Sequence, residues 1–289
     1  MRTARFTIRA AERLAPGVMR LRIEAPRVAR HRQPGQFVIV RVDEDGERIP
    51  LTVADADLRD DTITLVVQAV GRTTAQINAL RPGDTLADVA GPLGRGADLT
   101  RYGTAAVVAG GVGSAIAYPR AVALKQSGNE VIVLLGGRTR ELVTLEAEMR
   151  EIADEVRPVT DDGSYGRQGL VTDALVDLLA ERRIDHVLTA GPVPMMAAVA
   201  DVTRPHGIHT LASLNPIMVD GTGMCGGCRV DVGGKTVFAC VDGPEFNAHE
   251  VDFALLARRN RSYLEFERAR AEMADLEVPP VSSPAGGAA

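Results

Sequence analysis

From Thr104 onward the chain alternates short apolar runs with helix-like stretches. AAVVAGG, EVIVLLGG, EVRPVT, HVLTAGP and IHTLAS each read as a buried strand, and segments such as LEAEMREIA and LVTDALVDLLAERR lie between most of them. Strands alternating with helices imply βαβ units, which constrains this part of the chain to a parallel sheet covered by helices. Such a sheet takes its ligand in the crevice beyond the carboxyl ends of its strands. Three of the strands end in glycine-containing turns where that crevice would be lined: GGVG, GGR and GPVP.

The flanking regions follow other rules. In the first hundred residues, Phe37 to Val42 (FVIVRV) and Thr62 to Val70 (TITLVVQAV) are rich in β-branched residues and are bounded by QPGQ, DEDG and DLRDD. Runs this short and closely spaced, with turns at RPGD and GPLG, predict a small antiparallel barrel. After Ala212 come a Gly- and Cys-rich loop, a hairpin-like CRVDVGGKTVFAC and a polar helix near Phe253 to Ala274. The closing VPPVSSPAGGAA reads as disordered from its composition. The expected division is therefore 1–98, 99–213, 214–262 and a terminal helix and tail over 263–289.

Bulk properties exclude several functions. The 289 residues are 45% hydrophobic and 25% charged, the balance of a soluble globular protein. With aromatics at 3%, no Trp and a net charge of −5, neither a stacking platform nor a basic face for nucleic acid is expected. No apolar run reaches ~20 residues and the N-terminus has no apolar signal core, so no membrane segment or secretory signal is expected. All three cysteines fall between positions 225 and 240, which is no disulfide framework and implies a reducing, cytoplasmic setting.

Several stretches carry candidate chemistry. The turn VVAGGVGSA, with Gly110, Gly111 and Gly113, runs from a strand toward a helix whose N-terminus favours a phosphate. It lacks the third small residue of the dinucleotide fingerprint, since Ile116 stands there, and a plain tight turn reads equally well. Arg138 and Arg140 follow the next strand, either gripping a ribose 2′-phosphate or simply solvated. Gly191, Pro192, Met195 and Met196 (GPVPMM) suit a helix start beside a nicotinamide, or methionines filling a core. Gly71, Thr73 and Thr74 (GRTT) open a short helix. A threonine cap and a docked flavin pyrophosphate are compatible there. No acid–base or nucleophile constellation is visible, so no catalytic residue is expected.

The strongest signal is Cys225-x2-Cys228 with Cys240 twelve residues on. Two thiolates share a tight glycine loop, a third comes from a neighbouring strand, and Gly226 and Gly227 let backbone N–H groups reach sulfur. Either an iron–sulfur centre or a Cys3His zinc site completed by His249 satisfies this pattern.

Taken together, RIPLTVAD, VVQAVGRTT, GPLG, VVAGGVGSAIAYP, TDDGSYGRQG, AGPVPMM and LNPIMVDGTGMCGGCRVDVGGKTVFACVDGPEF resemble the ferredoxin–NADP reductase superfamily over roughly residues 5 to 260. Within it they are similar to the small subunits of NADH-dependent reduced ferredoxin:NADP oxidoreductases (also called sulfide dehydrogenase β subunits) and, next, to the electron-transfer subunits of dihydroorotate dehydrogenase. The resemblance implies an FAD-binding barrel, an NAD(P)-binding domain and a [2Fe-2S] domain. It further implies a larger flavin and iron–sulfur catalytic partner, with ferredoxin reached through that partner. A flavin takes two electrons from a nicotinamide and passes them on singly, which makes the series coherent.

In the family's flavin motif, Arg-x-Tyr-Ser/Thr, Ile49 holds the arginine position and Leu51 the tyrosine. Pro50, Leu51 and Thr52 are carried over as flavin contacts. Arg48 lies one residue early, on the other face of the strand, and is not. The family's cluster loop runs Cys-x4-Cys-x2-Cys with a fourth cysteine about a dozen residues on. Its first position is Asp220 here, which makes Asp220, with Cys225, Cys228 and Cys240, the implied ligand set. Four cysteines in the dihydroorotate dehydrogenase type against three here favour the first likeness, and with it NAD(H) over NADP(H). The competing non-enzyme reading is a nucleotide-binding regulatory protein with a structural zinc.

Overall fold

The computed structural model of the chain describes residues 6–263. Its first unit holds β1 (Phe6–Ala15), β2 (Val18–Glu24), α1 (Pro26–His31), β3 (Phe37–Arg41), β4 (Ile49–Thr52), β5 (Asp55–Asp57), β6 (Thr62–Gln68), α2 (Arg72–Ala79), β7 (Thr85–Leu86) and β8 (Asp88–Leu93). The strands pair antiparallel in two sheets, of order β5-β6-β2-β1-β7 and β4-β3-β8. Val38 and Val40 from the smaller sheet and Ile8, Leu21, Ile63 and Leu65 from the larger bury into one core. The sequence expectation was a barrel. The strands are antiparallel as expected, but no closed ladder joins the two sheets among the described residues. The edge elements are short: β7 has two residues, β5 three and β4 four.

The second unit runs β9 (Thr104–Gly110), α3 (Gly113–Gln126), β10 (Glu130–Gly137), α4 (Glu146–Ile152), β11 (Glu155–Thr160), β12 (Arg167–Gln168), α5 (Val171–Glu181), β13 (His186–Ala190), α6 (Val193–Thr203) and β14 (His209–Ser213). The strands stand parallel in the order β12-β11-β10-β9-β13-β14, as the βα alternation requires. Both sheet faces are buried. Ala105, Val107 and Ala109 face the α3 side with Ala117, Ala121 and Leu124, while Ala106 and Val108 face α5 with Ala174, Leu175 and Leu178. Period-2 alternation of two apolar faces is why these strands read as continuous apolar runs. Pro119 sits inside α3, not in its first turn. It lacks the N–H that would bond to the Ala115 carbonyl, a local loss that its buried position in the helix tolerates.

The third unit begins with the loop after Ser213 and holds β15 (Arg229–Val232), β16 (Lys235–Phe238), α7 (Ala239–Asp242), β17 (Glu245–Asn247) and α8 (Phe253–Asn260). β15 and β16 form the expected hairpin. β17 pairs antiparallel with β14, Ala212 opposite Phe246, and so becomes the seventh strand of the parallel sheet. The helix expected over Phe253 to Ala274 is α8 in its first part. That helix ends at Asn260 and is followed by a turn over 261–263; residues 264–289 lie outside the described residues. Among the described residues no helix is long and apolar enough to cross a membrane.

Candidate functional site

The strand order of the parallel sheet reverses between β9 and β13. Successive strands step one way from β9 through β10 and β11, then restart on its other side. A crevice opens at such a switch point, and its floor is built by glycines. Gly110 ends β9 and Gly191 follows β13. A Cβ on Gly110 would stand 2.5 Å from the Met195 sulfur, and one on Gly191 2.8 Å from the Met195 terminal methyl. Gly113, the first residue of α3, lies so close to β13 that a Cβ there would stand 2.2 Å from the Ala190 carbonyl oxygen. The sequence expectation thus brings Gly110, Gly111, Gly113, Gly191, Pro192 and Met195 to one place. Met196 does not line it: it is fully buried in a core.

Arg138 and Arg140 lie beyond the carboxyl end of β10, both exposed. The Arg140 guanidinium lies 5.1 Å over the Tyr165 ring, and its backbone N–H donates to the Ser164 hydroxyl at 2.8 Å. Burial raises the Asp161 carboxyl above its ordinary range, and the neighbouring Arg138 cation opposes that rise. Both arginines therefore stand at the end of the second strand, where a ribose is read in sheets of this kind.

In the first unit Pro50, Leu51 and Thr52 form most of β4, half-buried, opposite Ile39, Val38 and Phe37 of β3. Arg48 stands just before the strand and is exposed. At the start of α2, the Thr74 hydroxyl accepts from the N–H of Val70 and of Gly71, at 2.9 and 3.0 Å, a side-chain cap built from the third helical residue. Thr73, buried, donates to the Glu47 carboxylate at 2.6 Å. A carboxylate thus already stands by this helix start, where an anion is favoured.

The cysteine loop is held by backbone. Cys228 and Cys240 are buried with their sulfurs 3.1 Å apart, while Cys225 is exposed. Gly227 N–H points at the Cys225 sulfur and Cys240 N–H at the Cys228 sulfur, each at 3.4 Å. Burial, then the neighbouring Cys228, pushes the Cys240 thiol up to about 12, so without a metal to draw off its proton it stays neutral. Asp220 accepts from Thr222 N–H at 2.8 Å and Cys225 N–H at 2.7 Å, which lowers its carboxyl pKa. Three thiols, two of them met by N–H donors, with an ionised carboxylate on the same loop, are a donor set whose chemistry fits an iron–sulfur centre. Among the described residues, however, no three His, Cys, Asp or Glu side chains stand together as a metal cage.

The alternative fourth ligands are engaged elsewhere. His249 Nε2 lies 2.9 Å from the Thr203 hydroxyl of α6. Asp231 accepts from Gly234 N–H in the hairpin turn, and Asp242 from Phe238 N–H.

What the motifs do not reveal is how the three places meet. Gly221, beside Asp220, adopts φ +74, and a Cβ there would stand 2.6 Å from Leu93 and 2.9 Å from Ile39. Glycine is needed both for the backbone turn and for this close approach. The cysteine loop therefore rests on β3, the strand that pairs with β4. Phe37 and Ile39 of β3, Met196 of α6, Met218, Cys228 and Cys240 belong to one buried apolar cluster. A second cluster joins Ala15, Val18, Ala54 and Val66 of the first unit to Ala115 of α3, with Val112 packed against it. β3 thus packs against the cysteine loop, while Ala54, just after β4, packs against α3 beside the dinucleotide turn. Phe37 and Ile39 read in sequence only as strand residues, since their role depends on a contact more than 180 positions away.

Known proteins of similar sequence and shape agree with this layout. Residues 107–201 match the oxidoreductase NAD-binding domain family, and residues 215–252 match the iron–sulfur cluster binding domain of dihydroorotate dehydrogenase B. A Thermotoga maritima protein described as a dihydroorotate dehydrogenase B (NAD(+)) electron transfer subunit homolog is 47% identical over 89% of this chain and 90% of its own length. The corresponding electron transfer subunit of Fusobacterium nucleatum is 31% identical over 85% of this chain and 97% of its own. A chain in the solved structure of an NADH-dependent reduced ferredoxin-NADP oxidoreductase, reported for its bearing on flavin-based electron bifurcation, superposes with a TM-score of 0.89. It is 44% identical and covers 94% of this chain and 98% of that one.

Proposed function

We infer the function from one premise: this chain belongs to the family of dihydroorotate dehydrogenase B electron-transfer subunits and their homologues. It is the electron-transfer subunit of an oxidoreductase, working between NAD(P)H, FAD and a [2Fe-2S] cluster and docked to a larger flavin and iron–sulfur catalytic subunit. Ferredoxin is reached through that subunit. The observation that carries this reading is the packing of the cysteine loop at Gly221 on β3, the partner strand of the flavin motif in β4.

On this reading residues 1–98 bind FAD in a barrel-like fold, 99–213 bind NAD(P) and 214–262 bind the cluster. Pro50, Leu51 and Thr52 hold the flavin ring from one side. Gly71, Thr73 and Thr74 receive its pyrophosphate, which requires Glu47 to leave the Thr73 hydroxyl. Gly110, Gly111 and Gly113 admit the dinucleotide to the switch-point crevice. Arg138 and Arg140 border its adenosine ribose, while Gly191, Pro192 and Met195 face the nicotinamide. Cys225, Cys228 and Cys240 ligate the cluster with Asp220 as the fourth ligand, and a carboxylate keeps the ligand charge of a thiolate. When bound, the flavin would accept one hydride, an electron pair with its proton, from the nicotinamide and would release the two electrons singly to the cluster. The protein's own part is positioning: glycines clear space for backbone approach, loop N–H groups hold the thiolates, and the apolar clusters exclude water around the path. The unpaired thiols support a cytoplasmic setting.

Anaerobic absorption spectra of the purified chain test the reading. Flavin bands with a broad iron–sulfur shoulder, bleached by NADH more readily than by NADPH, are expected. A colourless protein containing one zinc would end it. Affinity capture of the native complex should bring down a larger subunit with its own flavin and iron–sulfur clusters. Recovery of a dihydroorotate-oxidising subunit instead would assign the chain to that enzyme.

A further inference from the structure

Arg120 stands in the middle of α3, in the otherwise apolar run AIAYPRAVAL, and is 1% exposed. Its Nε lies 2.7 Å from Glu245 Oε1 at the start of β17, and the Glu245 side chain is 13% exposed. Its Nη1 donates to the Asp98 carbonyl at 3.2 Å. The third side of the pair is Gly35, in the turn leading to β3, where a Cβ would stand 3.0 Å from Glu245 Oε1 and 3.5 Å from Arg120 Cδ. The pair therefore touches the nucleotide unit through α3, the cysteine unit through β17 and the flavin unit through Gly35. Backbone bonds lock the same corner: Arg95 N–H to Gly243 O at 2.7 Å, Ala97 N–H to Pro34 O at 2.9 Å and Leu214 N–H to Pro244 O at 2.9 Å.

Each arm leads to one proposed centre. α3 begins at Gly113 of the dinucleotide turn. Glu245 follows Cys240 by five residues. Gly35 precedes by two residues Phe37, which pairs with Thr52 of the flavin motif. A buried ion pair is a poor source of stability, because desolvation offsets its attraction and an apolar pair of similar volume often serves as well or better. What such a pair supplies, in the best-attested cases, is register.

We propose that Arg120 and Glu245 are a positioning pair that fixes the three units in one register and thereby sets the rate at which electrons pass from flavin to cluster. The step itself is a transfer of one electron: the reduced flavin loses it, the oxidised cluster gains it, and no proton crosses the pair. The proposal rests on the flavin–cluster reading given above.

The test uses the full chain loaded with its cofactors. Arg120→Met/Glu245→Leu removes both charges together, so that neither is stranded. Flavin and iron content, the electron paramagnetic resonance spectrum of the reduced cluster and its midpoint potential should match wild type. After mixing with NADH, flavin bleaching should keep its rate. Cluster reduction should slow severalfold, because a one-electron transfer rate falls steeply as flavin and cluster separate. Arg120→Lys, which keeps the charge beside Glu245, should recover most of that rate. Gly35→Ala, which presses on the pair from the flavin side, should slow the same phase. It carries the test alone if the double variant does not fold. Wild-type cluster reduction in the double variant or in Gly35→Ala overturns the proposal, as does a shifted potential, since the pair would then act on the cluster itself. Wild-type chain lacking flavin or iron bands would overturn the underlying reading instead.

Discussion

Gly113→Ala is a one-methyl probe of the crevice. The added Cβ would meet the Ala190 carbonyl oxygen at 2.2 Å, the Ala190 carbonyl carbon at 2.7 Å and the Gly191 Cα at 2.8 Å. All three are backbone atoms of the β13 end, so no side chain can turn aside. Moving from 2.2 Å to the 3.4 Å where ordinary contact begins requires the start of α3 to retreat from β13 by about 1.2 Å. Overpacking of this kind costs about 1–3 kcal/mol, a fall in melting temperature on the order of 5 °C for a chain of this size. The functional cost is larger, because the same backbone atoms floor the crevice. A displacement near 1 Å can lower a rate by about 100-fold. Stopped-flow reduction of the flavin by NADH should show a raised half-saturating NADH concentration and a slowed hydride phase. Gly207→Ala, in the turn before β14, is the control. Nothing lies within 4 Å of its Cβ, so only its φ of +61 is penalised, by about 1–2 kcal/mol, and the crevice is untouched. If Gly113→Ala reduces the flavin as fast as wild type, or Gly207→Ala proves the more damaging to NADH affinity, the assignment of the crevice is wrong.

Asp220 carries two proposed roles. Asp220→Asn keeps an oxygen acceptor for one of the two loop N–H groups and removes the proposed anionic ligand, so it should lose or destabilise the cluster by iron assay and spectrum. Asp220→Cys should retain a [2Fe-2S] cluster at a shifted potential, and an unaltered cluster in Asp220→Asn would reduce Asp220 to a loop cap. His186 gives a pH signature. Burial first, then neighbouring His209 and Arg120, hold its imidazole down at about 3 against an ordinary 6.5. Between those values the unfolded chain binds a proton that the folded chain does not. Stability should therefore be fully present above pH 6.5 and decline as pH falls toward 3, by up to ~1.4 kcal/mol per pH unit. His186→Phe, which keeps a ring stacked on Tyr102 at a position now 4.1 Å from it, should flatten that slope in urea titrations.

Much of this was legible in the sequence. The apolar runs with intervening helical periods specified a parallel sheet, and the spacing of Cys225, Cys228 and Cys240 picked out the loop. The closure expected for the first unit was not specified, because pairing between sheets depends on register across long loops, which composition does not encode. Gly110, Gly111 and Gly113 were singled out by a fingerprint that looks for its third small residue at Ile116. The structure meets the helix–strand packing requirement at Gly113 instead. Arg120 left one trace, a single charge within an apolar helix, where a buried charge demands a partner. Its partner Glu245 lies 125 positions away and could not be paired from sequence. Asp220 illustrates the opposite case: an Asp-Gly turn and a ligand share one local signature, and the loop N–H groups that it accepts are compatible with both.

The pairing of β17 with β14 brackets all four proposed ligands. The chain leaves the sheet at Ser213, carries Asp220, Cys225, Cys228 and Cys240, and returns to the neighbouring position at Glu245. The two ends of the ligand-bearing segment are thus stitched together by the sheet, whose hydrogen bonds offset part of the entropy of closing that loop. During synthesis the nucleotide-binding sheet has an unprotected edge until the last ligand has emerged and β17 has docked. Removing residues 214–247 to make a smaller nucleotide-binding protein would leave that edge open to pairing with other chains. The segment behaves as an insert sewn into the sheet and not as a detachable module.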